Sequence, residues 1–443
     1  MDSRRGEVGR RSLRGEQGRP VGPPFFVGGR IARRRRVGTR IRYAALAALL
    51  GAGCAAPAQA PSGAPAGDVA AFAAAPSSVV VLVEPDRLRL RALDCASGRE
   101  AGVFALPAHA PGGSVPLALA PEGDAAFVVT DARELLRLSL PQLSVQAAHT
   151  LAFDATSLAA SGGVDATVLA GGTAVAAGPD TATLSAHDAG TLRSVHEYHF
   201  DDGRRASVAA IVDRAARSRF VVAFADLDEI WEIDYARDAA PVLRGLVHDY
   251  RMCEAIELPG RYTPRPFAVP GATRALVGGT AAHEVLRIDG SGALGVLNLD
   301  VRREIERPPG GKLPGAERVA PWQGRHSRGW AFADEDANAL RVLQAGSWTF
   351  TPPLPVGAPV LAVAPSEDGG VLLALQQETG LALALADVET RRVRPLGVVP
   401  ARGRPPWRWI AGTGGCVALV DASGRWRAGV TREMRAAARD RGS

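Results

Sequence analysis

From Ser78 onward the chain alternates short apolar runs with turn segments. The runs are four to eight residues long and rich in Val, Leu and Ala, and Gly, Pro and Asp separate them. Runs of this length between turn residues are typical of β-strands. No long amphipathic helix pattern interrupts them before the Arg- and Ala-rich tail at 431–441. The pattern predicts an all-β domain, because a parallel α/β fold would need helices for its crossovers.

The strand pattern repeats about every 44 residues between 78 and 430. The copies cover 78–106, 115–147, 167–198, 207–247, 266–300, 317–350, 359–399 and 408–430. A period of 40–50 residues with three or four strands per unit is typical of β-propeller blades. We therefore predict an eight-bladed β-propeller over 77–430. Seven blades are the alternative if 317–399 is divided differently. We expect the first strand after the leader to close the ring by pairing into the last, incomplete blade.

Turn residues recur at matching places in these copies. Pro121–Asp124 and Ser366–Gly370 supply residues that tolerate positive φ, and we predict tight hairpin turns there. A second type of turn, in which an Asp is followed closely by Ser or Thr, occurs at Asp94, Asp188 and Asp421. We predict that it links the later strands of a blade.

The basic charge is concentrated at the beginning of the chain. Residues 1–42 contain thirteen Arg and three acidic residues, whereas the remainder has 39 basic and 43 acidic residues, a net charge of −4. A nucleic-acid-binding surface should lie on the folded domain. We therefore expect no nucleic-acid partner.

An apolar run at 43–53 follows Arg40 and Arg42, and Cys54 comes directly after it. The run is too short to span a membrane but has the layout of a secretory signal. Small residues before Cys54 resemble a lipobox, which predicts lipidation of Cys54, a periplasmic location and membrane contact only through that anchor. Cleavage within 55–67 would instead release a soluble periplasmic protein. Export through a twin-arginine signal at Arg35-Arg36 is a third, weaker interpretation.

These features divide the chain into a leader (1–54), a flexible linker (55–76), the propeller and a basic tail (431–443). The stretch before the positive patch is unusually long for a signal sequence. We predict that translation begins near Val37.

Three further cysteines, Cys95, Cys253 and Cys416, are far apart and form no CxxC or CxxCH pattern. This spacing excludes a zinc ribbon and covalent c-type haem. We predict buried free thiols, with one disulfide as the alternative. The sequence also shows no Ser/His/Asp constellation and no nucleotide-binding loop.

Several stretches resemble the haem d1 biosynthesis proteins of the NirF family, whose domain is similar to the eight-bladed d1 propeller of cytochrome cd1 nitrite reductase. The resemblance is specific in 207–325. It is carried by DEIWEIDY at 228–235, His248–Arg265, LNLDVRREIERPP at 297–309 and KLPGAERVAPWQGR at 312–325. It implies a periplasmic protein that binds a haem d1 precursor in its axial cavity. The implied role is a late step of maturation or delivery to nitrite reductase, and a dehydrogenase-type activity stays open.

The resemblance also implies site residues. His109 matches the family's iron ligand, and an imidazole nitrogen can bind iron. Arginines in the resembling stretches could clamp the carboxylates of the ring with paired donors; they are Arg251, Arg261, Arg265, Arg303 and Arg325. Leu313 stands where the family has a distal His, which leaves turnover in doubt.

Nitrite reductase, other haem d1 maturation proteins and a second copy of the chain are the implied protein partners. The alternative function is a non-catalytic propeller that serves as an assembly platform and has lost haem binding. We expect most other histidines, among them His187, His196, His199 and His283, to be solvated or bonded locally. We expect the tryptophans to pack between blades.

Overall fold

Short Val- and Leu-rich segments form almost all of the regular structure of this chain. The computed structural model describes residues 78–107, 115–175, 182–200, 206–244, 256–309, 318–334, 338–400, 406–431 and 434–437. Within these ranges, 33 strands are accompanied by two 3₁₀ turns, Pro85–Arg87 and Ala215–Arg217, and one helical turn at 434–437. No helix in these ranges is both long and apolar enough to cross a membrane.

In the described ranges the strands form nine antiparallel sheets, eight of which are called blades 1 to 8 in chain order, and the ninth is a two-stranded hairpin inserted in blade 4. Blade 1 comprises β1 (Val79–Glu84), β2 (Arg89–Asp94) and β3 (Glu100–Ala105). Blade 2 comprises β4 (Leu117–Leu119), β5 (Ala125–Val129), β6 (Glu134–Ser139) and β7 (Val145–Thr150). Blade 3 comprises β8 (Phe153–Ala160), β9 (Thr167–Ala174), β10 (Leu184–Asp188) and β11 (Ser194–Tyr198). Blade 4 comprises β12 (Val208–Arg214), β13 (Arg219–Phe224) and β14 (Glu229–Asp234), then the separate hairpin β15 (Val242–Arg244) and β16 (Ile256–Leu258), and finally β17 (Pro264–Ala268).

The second half repeats the arrangement. Blade 5 comprises β18 (Thr273–Gly278), β19 (Glu284–Asp289), β20 (Leu294–Asn298) and β21 (Arg303–Glu306). Blade 6 comprises β22 (Val319–Gln323), β23 (Arg328–Asp334), β24 (Ala339–Gln344), β25 (Thr349–Phe350) and β26 (Leu354–Pro355). Blade 7 comprises β27 (Val360–Pro365), β28 (Val371–Gln376), β29 (Gly380–Asp387) and β30 (Arg392–Pro400). Blade 8 comprises β31 (Arg408–Ala411), β32 (Val417–Val420) and β33 (Trp426–Val430).

The blades are arranged around a common axis as an eight-bladed β-propeller, which confirms the predicted fold and excludes seven blades. The first strands of blades 2 to 8 are innermost, because they contact one another in sequence: β4, β8, β12, β18, β22, β27 and β31. The turns that join each of them to the second strand therefore lie on one face, called the upper face. These turns are 120–124, 161–166, 215–218, 279–283, 324–327, 366–370 and 412–416.

Two details of the blades differ from the sequence pattern. The sequence pattern places the third copy at 167–198, but blade 3 begins earlier, at β8. Buried and exposed residues alternate only weakly along β8. In blade 4, the β15–β16 hairpin separates the third strand from the fourth. A local strand pattern cannot show which runs pair with each other, so an inserted hairpin resembles an ordinary pair of blade strands.

The apolar side chains are buried between neighbouring blades. Between blades 3 and 4, Phe200, Phe224 and Trp231 pack together, with ring centroids 4.9–5.7 Å apart. Trp322, Trp330 and Trp407 are also buried, as predicted for tryptophans that pack within the ring. A fully buried large side chain contributes roughly 1.5–3 kcal/mol. A single blade cannot bury both of its faces, so the ring is the smallest stable unit.

The predicted turns form. Gly123 and Gly369 occupy the left-handed region, with φ of 78° and 80°, in the turns after β4 and β27. The Asp94 carboxylate accepts hydrogen bonds from the backbone N–H of Ser97 at 2.8 Å and from its hydroxyl at 2.6 Å. Asp188 and Asp421 make the same pair of bonds with Thr191 and Ser423. These carboxylates therefore stabilise the turns locally.

The ring is closed between blades 1 and 8 by packing, by hydrogen bonds at Thr413 and by a disulfide. Cys95 and Cys416 form this bond across 321 residues of chain, so the prediction of free thiols is wrong for these two. Thr413 donates its N–H to the Val79 carbonyl at 2.8 Å, and its hydroxyl accepts from the Val79 N–H at 2.9 Å. The expected closing strand is not found among the described residues, since β1 pairs only with β2.

Candidate functional site

A large cavity opens on the upper face between blades 6 and 7. This cleft, called the blade 6/7 cleft, has a volume of about 1150 Å³. Three turns surround it: 324–327, 366–370 and 388–391. Its charged lining residues are Arg325, His326, Glu367, Asp368, Asp387, Glu389 and Arg394. Binding clefts for small molecules typically measure about 300–1,000 Å³, so this one is large enough for a macrocycle.

The turn that carries Arg325 and His326 is held by Glu389 of blade 7. The Glu389 carboxylate accepts backbone hydrogen bonds from His326 at 2.7 Å, Arg325 at 2.9 Å and Ser327 at 3.0 Å, and one from the Ser327 hydroxyl at 3.1 Å. The N–H groups of His326 and then Arg325 are the main reason that the pKa of Glu389 falls to about 2. The backbone is thus fixed while both side chains line the cleft.

The other carboxylates of the cleft have partners in the protein. The guanidinium of Arg435, which is completely buried, lies 3.7 Å from Glu367 and 3.6 Å from Asp368. Asp387 accepts a hydrogen bond from the Thr390 N–H at 3.0 Å. By contrast, no described residue forms a hydrogen bond or ion pair with the side chains of Arg325 and His326. These two side chains are therefore available to an anionic or metal-containing ligand.

An axial cavity of about 670 Å³ adjoins the cleft at Pro365, Ser366 and Glu367. Its remaining lining is mainly apolar or glycine backbone: Leu119, Val319, Val363, Trp409, Gly412, Gly414, Gly415 and Val417. A flat apolar ring could pack against such a wall, since the wall has few polar groups to desolvate. Thr413 and Arg435 also line the axial cavity, so its wall is not wholly apolar.

The predicted arginines do not converge on one place. Arg261 lies over the ring of Tyr262 and 3.7 Å from Asp165. Arg265 is buried and donates a hydrogen bond to the Ala240 carbonyl at 2.7 Å, and burial lowers its pKa. Arg303 is exposed on β21, the outermost strand of blade 5. Arg325 lines the blade 6/7 cleft, and Arg261, Arg265 and Arg303 do not.

Three further sequence predictions lie outside the described residues: His109, Arg251 and Cys54. Leu313, the position of the expected distal His, lies outside them as well. In the described ranges no group of three His, Cys, Asp or Glu side chains could hold a metal ion. His187 is completely buried and bonded locally to Ser185 at 2.7 Å, as expected. Burial, followed by the nearby His149, lowers the pKa of His187 to about 4.

Sequence reasoning missed a polar pair within blade 4. The Tyr235 hydroxyl donates a hydrogen bond to Asp213 at 3.1 Å. Burial raises the pKa of Asp213 to about 6, against the opposing effect of that bond. Burial also raises the pKa of Tyr235. The two residues are 22 positions apart, with Asp213 on β12 and Tyr235 directly after β14, so no local motif could have paired them.

The described structure is similar to one solved propeller over most of both chains. That protein is a dihydro-haem d1 dehydrogenase, NirN, in complex with DHE. The TM-score is 0.56 at 16% identity, and the match covers 82% of this chain and 75% of the other. BamB from Moraxella catarrhalis is also similar, with a TM-score of 0.49 and 10% identity over 81% and 92% of the two chains. No protein-family model matches the chain, and no curated protein matches it. At 16% identity the likeness to NirN shows the fold alone, a β-propeller.

Proposed function

We propose that this propeller binds a haem d1 precursor in the blade 6/7 cleft and the adjoining axial cavity, for late maturation or delivery of the cofactor. The observation that carries the proposal is a pair of side chains, Arg325 and His326, that line a large cleft and have no partner among the described residues. A likeness in fold to NirN, which is described with a bound ligand, makes a ring-binding propeller a reasonable comparison. The NirF-like stretches end at Arg325 itself.

The chemistry of the donor groups fits such a ligand. A guanidinium binds a carboxylate through two parallel N–H donors, and each charge-assisted bond contributes about 1.5–3 kcal/mol. A neutral imidazole binds iron through one ring nitrogen. Arg325 would hold a carboxylate of the haem d1 macrocycle, and His326 would bind its iron. The apolar wall of the axial cavity would cover one face of the macrocycle. This arrangement provides capture and orientation, and the proposal includes no proton transfer or redox step.

His109 and Arg251 belong to the same proposal as alternative ligands. The sequence resemblance assigns them, and they precede the second blade and β16, respectively. If His109 binds the iron, His326→Ala would leave the visible bands of the bound haem d1 unchanged. The experiment must therefore show which of the two histidines binds the iron.

The test is titration of the purified protein with haem d1, followed by visible absorption. We expect the bands of the ring to shift on binding, and His326→Ala to change the position of the shifted bands. Arg325→Ala should weaken binding about tenfold, the equivalent of 1.4 kcal/mol. Arg303→Ala is the matched control, because it removes an exposed arginine on the outer strand of blade 5.

Two results would count against this proposal. If the visible bands do not shift with the wild-type protein, the protein does not bind haem d1. Unchanged binding by Arg325→Ala and His326→Ala, together with loss of binding by His109→Ala, would move the site away from the cleft.

The proposed compartment is the periplasm, with a lipid anchor at Cys54. The disulfide between Cys95 and Cys416 supports export, because disulfides persist in oxidising compartments and are rare in the cytosol. Metabolic labelling with a fatty acid tests the anchor, and Cys54→Ala should abolish the label. A labelled Cys54→Ala protein would contradict it.

An assembly platform is the second candidate function, and the β15–β16 hairpin favours it. Leu243 and Ile256 are each 67% exposed there. Exposed apolar side chains on a projecting hairpin are typical of protein contacts. We expect Leu243→Asp with Ile256→Asp to weaken binding to purified nitrite reductase while leaving haem d1 titration unchanged. Equal binding by the variant and the wild type would exclude this surface.

A further inference from the structure

Two hydrogen-bond donors that belong to the wall of the axial cavity have no acceptor in the described structure. Ser366 is only 7% exposed, the indole nitrogen of Trp409 is buried, and both residues line this cavity. No described residue accepts a hydrogen bond from the Ser366 hydroxyl or from the Trp409 N–H. Buried polar groups of native proteins nearly always have a partner, so these donors point to an acceptor that comes from outside the chain.

The fold fixes both donors without using them. Ser366 directly follows β27 of blade 7, where its N–H donates to the Gly370 carbonyl at 3.0 Å and its carbonyl accepts from the Gly369 N–H at 3.0 Å. The tight turn therefore occupies the backbone of Ser366 and leaves its hydroxyl unused. Trp409 lies on β31 of blade 8, which contacts β27, and its ring packs against the apolar core between the two blades. Packing thus holds the indole in place, and its N–H takes no part.

The rest of the wall favours an apolar ligand. Leu119, Val319, Val363 and Val417 come from blades 2, 6, 7 and 8 and line the same cavity. A volume of about 670 Å³ lies within the range of small-molecule cavities. Apolar surface gains free energy when it leaves water, and few polar groups of this wall must lose water to receive it.

The charged groups of the cavity disfavour an anion. Arg435 and Glu367 both line it, and they lie 3.7 Å apart. Arg435 also lies 3.6 Å from Asp368, so one positive charge faces two negative charges. The excess negative charge would repel an anionic group of a ligand, whereas an uncharged oxygen is not repelled in this way.

We propose that the axial cavity binds an uncharged, mainly apolar molecule, such as a ketone, ester or amide, whose oxygen accepts hydrogen bonds from Ser366 and Trp409. This ligand class differs from the carboxylates proposed for Arg325 in the adjoining cleft. The inference goes beyond the proposed haem d1 function and does not require it. Because both ligands would use the apolar wall of the axial cavity, haem d1 should displace the uncharged molecule.

Binding of prodan, an uncharged naphthalene ketone, tests this site in the purified protein. Its emission moves to the blue in apolar surroundings and to the red when its carbonyl accepts a hydrogen bond. We expect saturable binding with a net blue shift. Ser366→Ala and Trp409→Phe should each weaken binding about two- to tenfold, the effect of losing one neutral hydrogen bond, and should move the bound emission further to the blue.

Two matched variants control for unspecific effects of these substitutions. Ser347→Ala removes the hydroxyl of an exposed serine in blade 6. Trp322→Phe removes another buried indole N–H without a partner, from a residue that does not line the axial cavity. Both variants should bind prodan as the wild type does, with the same emission.

Anilinonaphthalene sulfonate tests the selectivity for uncharged ligands, since it carries a negative charge on the same naphthalene core. We expect Ser366→Ala to leave the binding of this anion unchanged. If Ser366→Ala weakens the sulfonate as much as it weakens prodan, the site takes anions and the proposed ligand class is wrong.

Two further results would refute the site itself. A lack of saturable prodan binding would mean that water alone satisfies the two donors. Equal binding and equal emission for the wild type, Ser366→Ala and Trp409→Phe would place the probe elsewhere. Addition of haem d1 distinguishes this inference from the proposed function: prodan that binds through Ser366 but is not displaced by haem d1 supports the site and counts against a macrocycle on the axial wall.

Discussion

Removal of the Cys95–Cys416 disulfide tests how the ring is closed. The bond joins blade 1 to blade 8, and the two cysteines are 321 residues apart, so it closes almost the whole propeller into one loop. In the chain-entropy description, a cross-link around a loop of this size removes roughly 5–6 kcal/mol of entropy from the unfolded chain. Both sulfur-bearing residues are buried, so Cys95→Ala with Cys416→Ala leaves the polar surface unchanged.

The loss should be visible as a shift in melting temperature. Unfolding entropy near 60 °C is about 2.1 cal/mol/K per residue, or about 0.7 kcal/mol/K for a domain of about 350 residues. A loss of 5–6 kcal/mol therefore lowers the melting temperature by about 8 °C. The assay is thermal unfolding of the wild type with and without a reductant, beside the double-alanine variant in both conditions.

We expect the reductant to destabilise the wild type and to leave the variant unchanged. The reasoning would be refuted if reduction shifted the wild-type melting temperature by less than about 1 °C, because the cross-link would then add almost nothing to closure. Peptide mapping without reductant must also recover Cys95 joined to Cys416. Free thiols at both positions would show that packing and the Thr413 bonds alone close the ring.

Two pH-dependent predictions follow from the carboxylates. Because the pKa of Glu389 is lowered to about 2, its contribution to stability is present above the unfolded value near 4.5 and is lost as the pH falls towards 2. Glu389→Gln should therefore be less stable than the wild type at pH 7, and the two should converge below about pH 2 in urea unfolding; a constant difference across that range would contradict the assignment. Asp213 has a raised pKa of about 6, so the folded state keeps its proton longer and this group lowers stability as the pH rises from about 4 to 6. Asp213→Asn should remove that decrease, as measured by unfolding at pH 4, 5, 6 and 7, and an unchanged pH profile would show that Asp213 does not titrate in this range.

The cleft illustrates the limit of sequence reasoning about a site. Arg325 was a predicted ligand because of the stretch in which it lies, and it does line a cavity. His326 was not among the predicted ligands, yet it shares that cavity. No role was predicted for Glu389, although its carboxylate binds the backbone of the turn at Arg325, 64 positions away. Its function depends on a contact between blades, which no local pattern records.

The sequence by itself determined the all-β class and the turn residues, and it favoured eight blades over seven. The reason is that each of these depends on neighbours within about ten positions: apolar runs, Asp with Ser or Thr, and Gly where φ is positive. Tertiary structure alone decided which cysteines pair, how blade 1 meets blade 8 and which charged side chains share a cleft. Those outcomes depend on closing a ring, and closure brings together residues such as Val79 and Thr413 that are 334 positions apart.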